Sequence, residues 1–172
     1  MIAAFGSDAY KLVLVLHILC AIVGFGAVFL NGIYGQQAKA RRGPEGLAIS
    51  QANFLVSEIG TYFIYAVFLL GIVLVLIGDN VFDFGQTWIW LSMLLFLAAL
   101  VASHAVLRPT VRRMQALMEE MIASGPPQGG PPPQAAEMEQ LGKRLAIVGP
   151  ALDLTMVVIL VLMVFKPGGP SL

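Results

Sequence analysis

The sequence predicts an all-α integral membrane protein, a bundle of four spanning helices. Of its 172 residues, 58% are hydrophobic and only 12% are charged, whereas a soluble domain carries about 25% charged residues. Four windows are each continuously apolar for about 20 residues, the length that crosses a bilayer as a helix. These windows cover 12–33, 59–77, 87–107 and 145–165. Barrel strands would instead alternate polar and apolar residues, so we expect helices.

The distribution of cations predicts the orientation of this bundle. Eight of the 10 Lys and Arg residues lie in the two long connections, between windows one and two and between windows three and four. Cytoplasmic loops carry such an excess, so both termini are expected outside and both long connections in the cytoplasm. Trp88 and Trp90, at the start of window three, fit the aromatic belt at the outer surface.

The connection between helices three and four predicts structure of its own. Pro109 is suited to the first position of a new helix, and apolar residues then recur at three and four: Val111, Met114, Leu117, Met118, Met121 and Ile122. This amphipathic cytoplasmic segment either lies in the membrane interface or continues helix three as a stalk. Residues 124–134 read as a flexible proline–glycine linker. We expect residues 1–172 to form a single membrane domain.

Several classes of function find no support in the chain. Its formal net charge is +0, so no electrostatic attraction to nucleic acid is expected. It lacks a haem-attachment CxxCH, a zinc-binding HExxH, a phosphate-binding loop and a nucleophile elbow. We therefore predict no catalytic residue and no metal site of familiar spacing.

His17 is an ionisable residue inside the first apolar window. It shares a face of small and polar residues with Cys20, Gly24 and Asn31, and such a face packs against a neighbouring helix. His17 is then either a neutral histidine bonded within the bundle or a haem or metal ligand. At about 1.5 Å per residue, His17 and Met93 lie about 8 and 9 Å below the outer edge. They are therefore the candidate axial ligands of a haem b.

Four polar residues are predicted to gather in the cytoplasmic half of the bundle. Glu58, His104 and Asp153 lie about 7, 5 and 12 Å inside the inner edge on different helices. Arg108 follows His104 by four residues and so shares its helix face. Because an unpaired carboxylate at such depth is costly, we predict an inward-facing cluster of all four. The alternative is that Glu58 reaches the interface alone and Asp153 binds a nearby backbone or hydroxyl group.

Four stretches resemble a family of predicted bacterial integral membrane proteins of unknown function: LHILCAIVGFGAVFLNGIYG, FGQTWIWLSMLLF, SHAVLRPTVRRM and LGKRLAIVGPALDLTMVVILVLMVFKPG. The resemblance implies a multi-pass protein of the bacterial cytoplasmic membrane. The chain is more distantly similar to CopD copper-resistance proteins and HemJ-type protoporphyrinogen oxidases, which carry a histidine in an early helix. In the HemJ type this histidine is taken to bind haem, and His17 occupies the corresponding place. HemJ-type proteins also carry a lysine in a later span, where the nearest analogue here is His104.

Three functions follow as hypotheses. The first is a non-catalytic membrane subunit, accessory protein or scaffold that binds a membrane-protein partner or a second copy of itself. The second is a redox protein that binds haem or a metal through His17. The third is a small transporter, suggested by the intramembrane carboxylates Glu58 and Asp153. The absence of catalytic motifs favours the first.

Overall fold

The computed structural model describes residues 6–41, 43–79, 81–125 and 133–169, which form helices joined by short turns. Within these residues four helical stretches are long and apolar enough to cross a membrane. The prediction of an all-α membrane bundle is therefore confirmed, while its N-out, C-out orientation stays a prediction. The stretches cover Asp8–Arg41, Gly43–Leu76, Thr87–Ala123 and Ala135–Phe165.

The first spanning stretch is two helices with a break at one residue. Helix α1 (Asp8–Phe29) begins at Ser7, whose hydroxyl accepts a hydrogen bond from the Tyr10 backbone N–H at 3.2 Å. It ends at Leu30, and α2 (Asn31–Arg41) follows at once. Helix α3 (Gly43–Leu76) then returns through the membrane. It begins 16 residues before the predicted window, because helical structure continues into the polar sequence.

The third stretch decides between the two predicted arrangements of the amphipathic segment. Helix α4 (Thr87–Ala102), a π-helical turn (Ser103–Leu107) and α5 (Arg108–Ala123) form one continuous helix. The segment therefore continues helix three, which is the second of the two predicted arrangements. Most of the predicted linker, 126–132, lies outside the described residues. Helix α6 (Ala135–Phe165) follows it.

Small residues let α1 and α3 approach closely. A Cβ atom placed on Gly24 would lie 2.9 Å from Ile64 Cγ1 and 3.3 Å from the Gly60 carbonyl oxygen. A Cβ atom on Gly60 would lie 2.8 Å from the Cβ of Ala27. These contacts confirm the predicted packing face of helix one, because only residues without a larger side chain allow this approach.

Two groups of buried apolar residues hold the helices together. The first, here called the terminal core, lies at the end of the bundle where α1 begins and α3 ends. It contains Tyr10, Leu74, Phe82, Trp88 and Ile89.

The second group, the middle core, joins α3, α4 and α6 through Val67, Phe96 and Ile159. The rings of Phe68 and Phe96 stack there, with their centroids 5.2 Å apart.

A contact with a cation adds to the terminal core. Lys166 follows α6, and its Nζ lies 4.9 Å from the centroid of the Phe82 ring. It thereby ties the end of α6 to the terminal core.

Two glycines of α1 provide a matched test of the α1–α3 contact. Gly24→Ala places a methyl group against the Ile64 backbone nitrogen, 3.1 Å away, and should destabilise the protein by about 1–3 kcal/mol. Gly26 has no atom within 4 Å of such a methyl group, so Gly26→Ala should be neutral or slightly stabilising. Thermal unfolding in detergent measures both. Equal midpoints for the two variants would show that the close approach contributes nothing.

Candidate functional site

A row of polar side chains joins α3 to the continuous helix of α4, the π-helical turn and α5. Arg108 Nη2 lies 2.9 Å from Glu58 Oε1, and the two side chains are only 23% and 29% exposed. Farther along the same helices, the Tyr65 hydroxyl lies 2.6 Å from His104 Nε2. We call these four residues the polar seam. Of the four residues predicted to cluster, the structure pairs Glu58 with Arg108, and His104 bonds to Tyr65 on the same two helices.

Both ring nitrogens of His104 are hydrogen-bonded. Nδ1 lies 2.8 Å from the Leu100 carbonyl oxygen, which can only accept, so Nδ1 carries a hydrogen. Nε2 accepts from the Tyr65 hydroxyl when the ring is neutral and donates to it when the ring is charged. In either state both ring nitrogens are engaged, which leaves no free nitrogen for a metal.

Tyr65 belongs to the site although the sequence analysis did not single it out. It follows Glu58 by seven residues, two helical turns, and so lies on the same face of α3. The signal was present in that spacing. Tyr62, one turn from Glu58, is instead 71% exposed and meets Tyr65 edge-on at a centroid distance of 6.4 Å.

The π-helical turn lies at the centre of the seam. It covers Ser103–Leu107 and ends where the Arg108 backbone N–H bonds to the Ser103 carbonyl, five residues back. Pro109 explains the turn, because its ring would clash with the carbonyl four residues earlier and it has no N–H to donate. The widened turn accommodates the proline without ending the helix, and turns of this kind are frequent at functional sites.

Asp153 is not bonded to the rest of the predicted cluster. It lies half-buried on α6, and in the described parts of the chain no hydrogen bond or ion pair reaches it. Its predicted place at the upper end of the cluster stays a prediction.

His17 lies against α3 through a glycine. A Cβ atom on Gly71 would be 3.3 Å from His17 Cε1 and 3.8 Å from Nδ1, so the ring occupies the space that a side chain would fill. Nδ1 is buried and makes no hydrogen bond of standard geometry among the described residues, although the ring interacts with the Val67 backbone. Met93 lies on α4, packed against the terminal core. The pairing of His17 with Met93 as haem ligands stays a prediction.

A second polar contact missed from the sequence lies at the break in the first span. The Ser57 hydroxyl of α3 donates to Asn31 Oδ1 at 2.9 Å. Asn31 is the first residue of α2, so this bond attaches the break to α3. Within the described residues no group of three or more His, Cys, Asp or Glu residues is placed to hold a metal ion.

The comparison with known families agrees with this architecture. Residues 11–167 match the family described as "Predicted integral membrane protein (DUF2269)". The chain belongs to this family. No curated protein and no solved structure matches it. The match confirms the resemblance to a family of unknown function, and the distant similarity to CopD and HemJ-type proteins stays a prediction.

A double-mutant cycle tests the ion pair of the polar seam. Glu58→Ala and Arg108→Ala should each destabilise the protein by about 1–3 kcal/mol, because each leaves a partly buried charge unpaired. The double variant should cost less than the sum of the two. Thermal unfolding in detergent measures the stability of the three variants relative to the parent. The exposed pair of Lys143 with Glu139 is the control, and Lys143→Ala should change stability little. Additive losses for Glu58 and Arg108 would show that the pair is not coupled.

Proposed function

We propose that this protein is a non-catalytic subunit or accessory protein of the bacterial cytoplasmic membrane, and that a projecting part of its bundle binds a membrane-protein partner. The observation that supports this is a packed helical stalk beyond the apolar spans. The stalk comprises α2, residues 43–54 of α3, α5 and residues 135–144 of α6. With the predicted orientation the stalk faces the cytoplasm.

The helices are too long for the bilayer alone. Helix α3 has 34 residues, which at 1.5 Å per residue is about 51 Å. The hydrocarbon core of a bilayer is about 30 Å thick, so roughly 20 Å of α3 projects from it if the helix is upright. The continuous helix Thr87–Ala123 has 37 residues and projects at the same end.

The stalk has side-chain contacts of its own. Leu117 of α5 is only 1% exposed, and Gln115 Nε2 donates to the Ser50 hydroxyl of α3 at 3.1 Å. Arg113 of α5 holds Glu137 of α6 through two hydrogen bonds of 2.7 and 2.9 Å. A Cβ atom on Gly46 would overlap the Ala38 carbonyl, so α2 also lies directly on α3. A stalk packed in this way presents a fixed surface, which suits a protein that positions a partner.

Site-directed photo-crosslinking in intact cells tests this function. A photoreactive residue at Gln36, exposed on α2 of the stalk, should give one discrete adduct with a second membrane protein. The same residue at Leu154, which is 63% exposed on the apolar part of α6, is the control for random contacts in the bilayer. If neither Gln36 nor other exposed stalk positions give a specific adduct, the partner-binding function is wrong.

A second function has one specific observation in its favour. The ring of His17 lies against Gly71, and its Nδ1 is buried without a hydrogen bond of standard geometry in the described part of the chain, although the ring interacts with the Val67 backbone. Buried polar atoms are almost always hydrogen-bonded, and an imidazole nitrogen that is not is suited to bind a metal or a haem iron. If haem were bound, His17 would hold it and the haem would supply one-electron redox chemistry.

The absorption spectrum of the purified protein, reduced minus oxidised, tests this second function. If His17 binds haem, protein from haem-replete cells should show a Soret band that His17→Ala abolishes. His104→Ala is the matched control and should keep the band, because both nitrogens of His104 are already hydrogen-bonded. A colourless preparation that also lacks bound metal would exclude the redox function.

A further inference from the structure

Arg112 differs from the other residues that join α3 and α5. Its guanidinium carbon lies 5.3 Å from the centroid of the Phe54 ring. On one side of this contact Arg108 pairs with Glu58, and on the other Gln115 donates to Ser50. Polar groups therefore meet polar groups along this line, except at Arg112, whose partner is the face of a phenyl ring.

The charge of Arg112 is held in place but not neutralised. Its neighbours on the same helix have carboxylates: Arg108 has Glu58, and Arg113 has Glu120 and Glu137. Arg112 is exposed, and no hydrogen bond or ion pair reaches it from the described residues. A guanidinium carries five N–H donors and is always charged. Stacking on an aromatic ring orients this group and leaves its edges free to donate.

The position of Arg112 along the helix matches the headgroup layer of a bilayer. Arg108 directly follows the predicted end of the third apolar window at residue 107. Arg112 lies four residues farther, about 6 Å along the helix axis. The headgroup layer is about 5–8 Å thick on each side of the hydrocarbon core. A guanidinium at this distance from the last apolar turn therefore lies at the depth of lipid phosphates.

We propose that Arg112, stacked on Phe54, binds the phosphate of an anionic phospholipid. The planar fork of the guanidinium donates two parallel hydrogen bonds to a phosphate, a geometry that an ammonium group lacks. An anionic lipid brings a net negative charge to the uncompensated cation, whereas a zwitterionic lipid also brings an ammonium group that opposes it. The proposal does not rest on the partner-binding function, because it uses only the charge of Arg112, its stacking on Phe54 and its distance from the third apolar window.

Native mass spectrometry of the full chain in detergent tests the site by titration with phosphatidylglycerol. Arg112→Gln should weaken the tightest binding event about fivefold, the change expected for one cation near a lipid surface. Phe54→Leu, which removes the ring but keeps the charge, should weaken it by less. Lys39→Gln is the control for loss of one positive charge. Lys39 follows Ala38, which packs on Gly46, about 12 Å along α3 from Phe54, so this variant should bind like the parent.

Four results would overturn the proposal. Equal affinities for the parent and Arg112→Gln would show that Arg112 takes no part. An equal loss in Lys39→Gln would show general charge attraction instead of a site. If glycerol phosphate displaced phosphatidylglycerol at equal concentration, the site would bind free phosphate and not a lipid. If phosphatidylethanolamine bound as tightly as phosphatidylglycerol, the site would not select the lipid by its charge. Thermal unfolding of each variant shows whether it is folded. Arg112→Lys keeps the charge but loses the planar fork, so its affinity for phosphatidylglycerol should lie between those of the parent and Arg112→Gln.

Discussion

Helices in a bilayer are not driven together by burial of apolar surface, because lipid tails are as apolar as leucine. Association depends instead on close packing and on polar contacts between helices. In this protein the first requirement is met where Gly24 and Ala27 of α1 lie against Gly60 of α3. The second is met by the polar seam between α3 and the continuous helix 87–123. Helix α3 takes part in both contacts, so the arrangement of the bundle depends on its two opposed faces.

The two ends of the bundle are held by different interactions. At the terminal end Lys166 lies over the rings of Phe82 and Trp88, which join the end of α6 to the turn before α4. At the other end the Glu58–Arg108 ion pair is followed by the hydrogen bonds and ion pairs of the stalk. The side chains in these charged contacts are partly exposed, which lowers their desolvation cost. The apolar middle of the bundle is left to ring stacking and aliphatic packing.

The sequence predicted the features that depend on composition and missed those that depend on geometry. Hydropathy located the four spans because lipid demands apolar side chains. Helix α3 begins 16 residues before its apolar window, because hydropathy indicates which residues lie in lipid and not where the helix begins. The sequence has no proline near Leu30 that would predict the break there. Pro109 suggested a new helix, but the π-helical turn absorbs the proline and the helix continues.

The candidate sites show the same limit. Glu58 and Arg108 were predicted as neighbours from depth and helix face, and the structure places them 2.9 Å apart. Helical spacing places Tyr65 on the face of Glu58, but the bond between Tyr65 and His104 also depends on how the two helices are rotated about their own axes, which spacing does not determine. The same spacing also places Tyr62 near that face, and Tyr62 is exposed. The position of Asp153 depends on how α6 is rotated, and it has no bonded partner in the described chain.

The two histidines differ in how many of their ring nitrogens are hydrogen-bonded. His104 donates to the Leu100 carbonyl and shares a hydrogen bond with the Tyr65 hydroxyl, so both of its ring nitrogens are engaged and it joins α3 to the π-helical turn. His17 has a buried Nδ1 without a hydrogen bond of standard geometry in the described residues, and Gly71 provides the space for its ring. A buried hydrogen-bonding group that is not satisfied costs stability, and an apolar residue would fill the same space without that cost. Packing therefore explains His17 less well than it explains His104, and the proposed cofactor function rests on this difference.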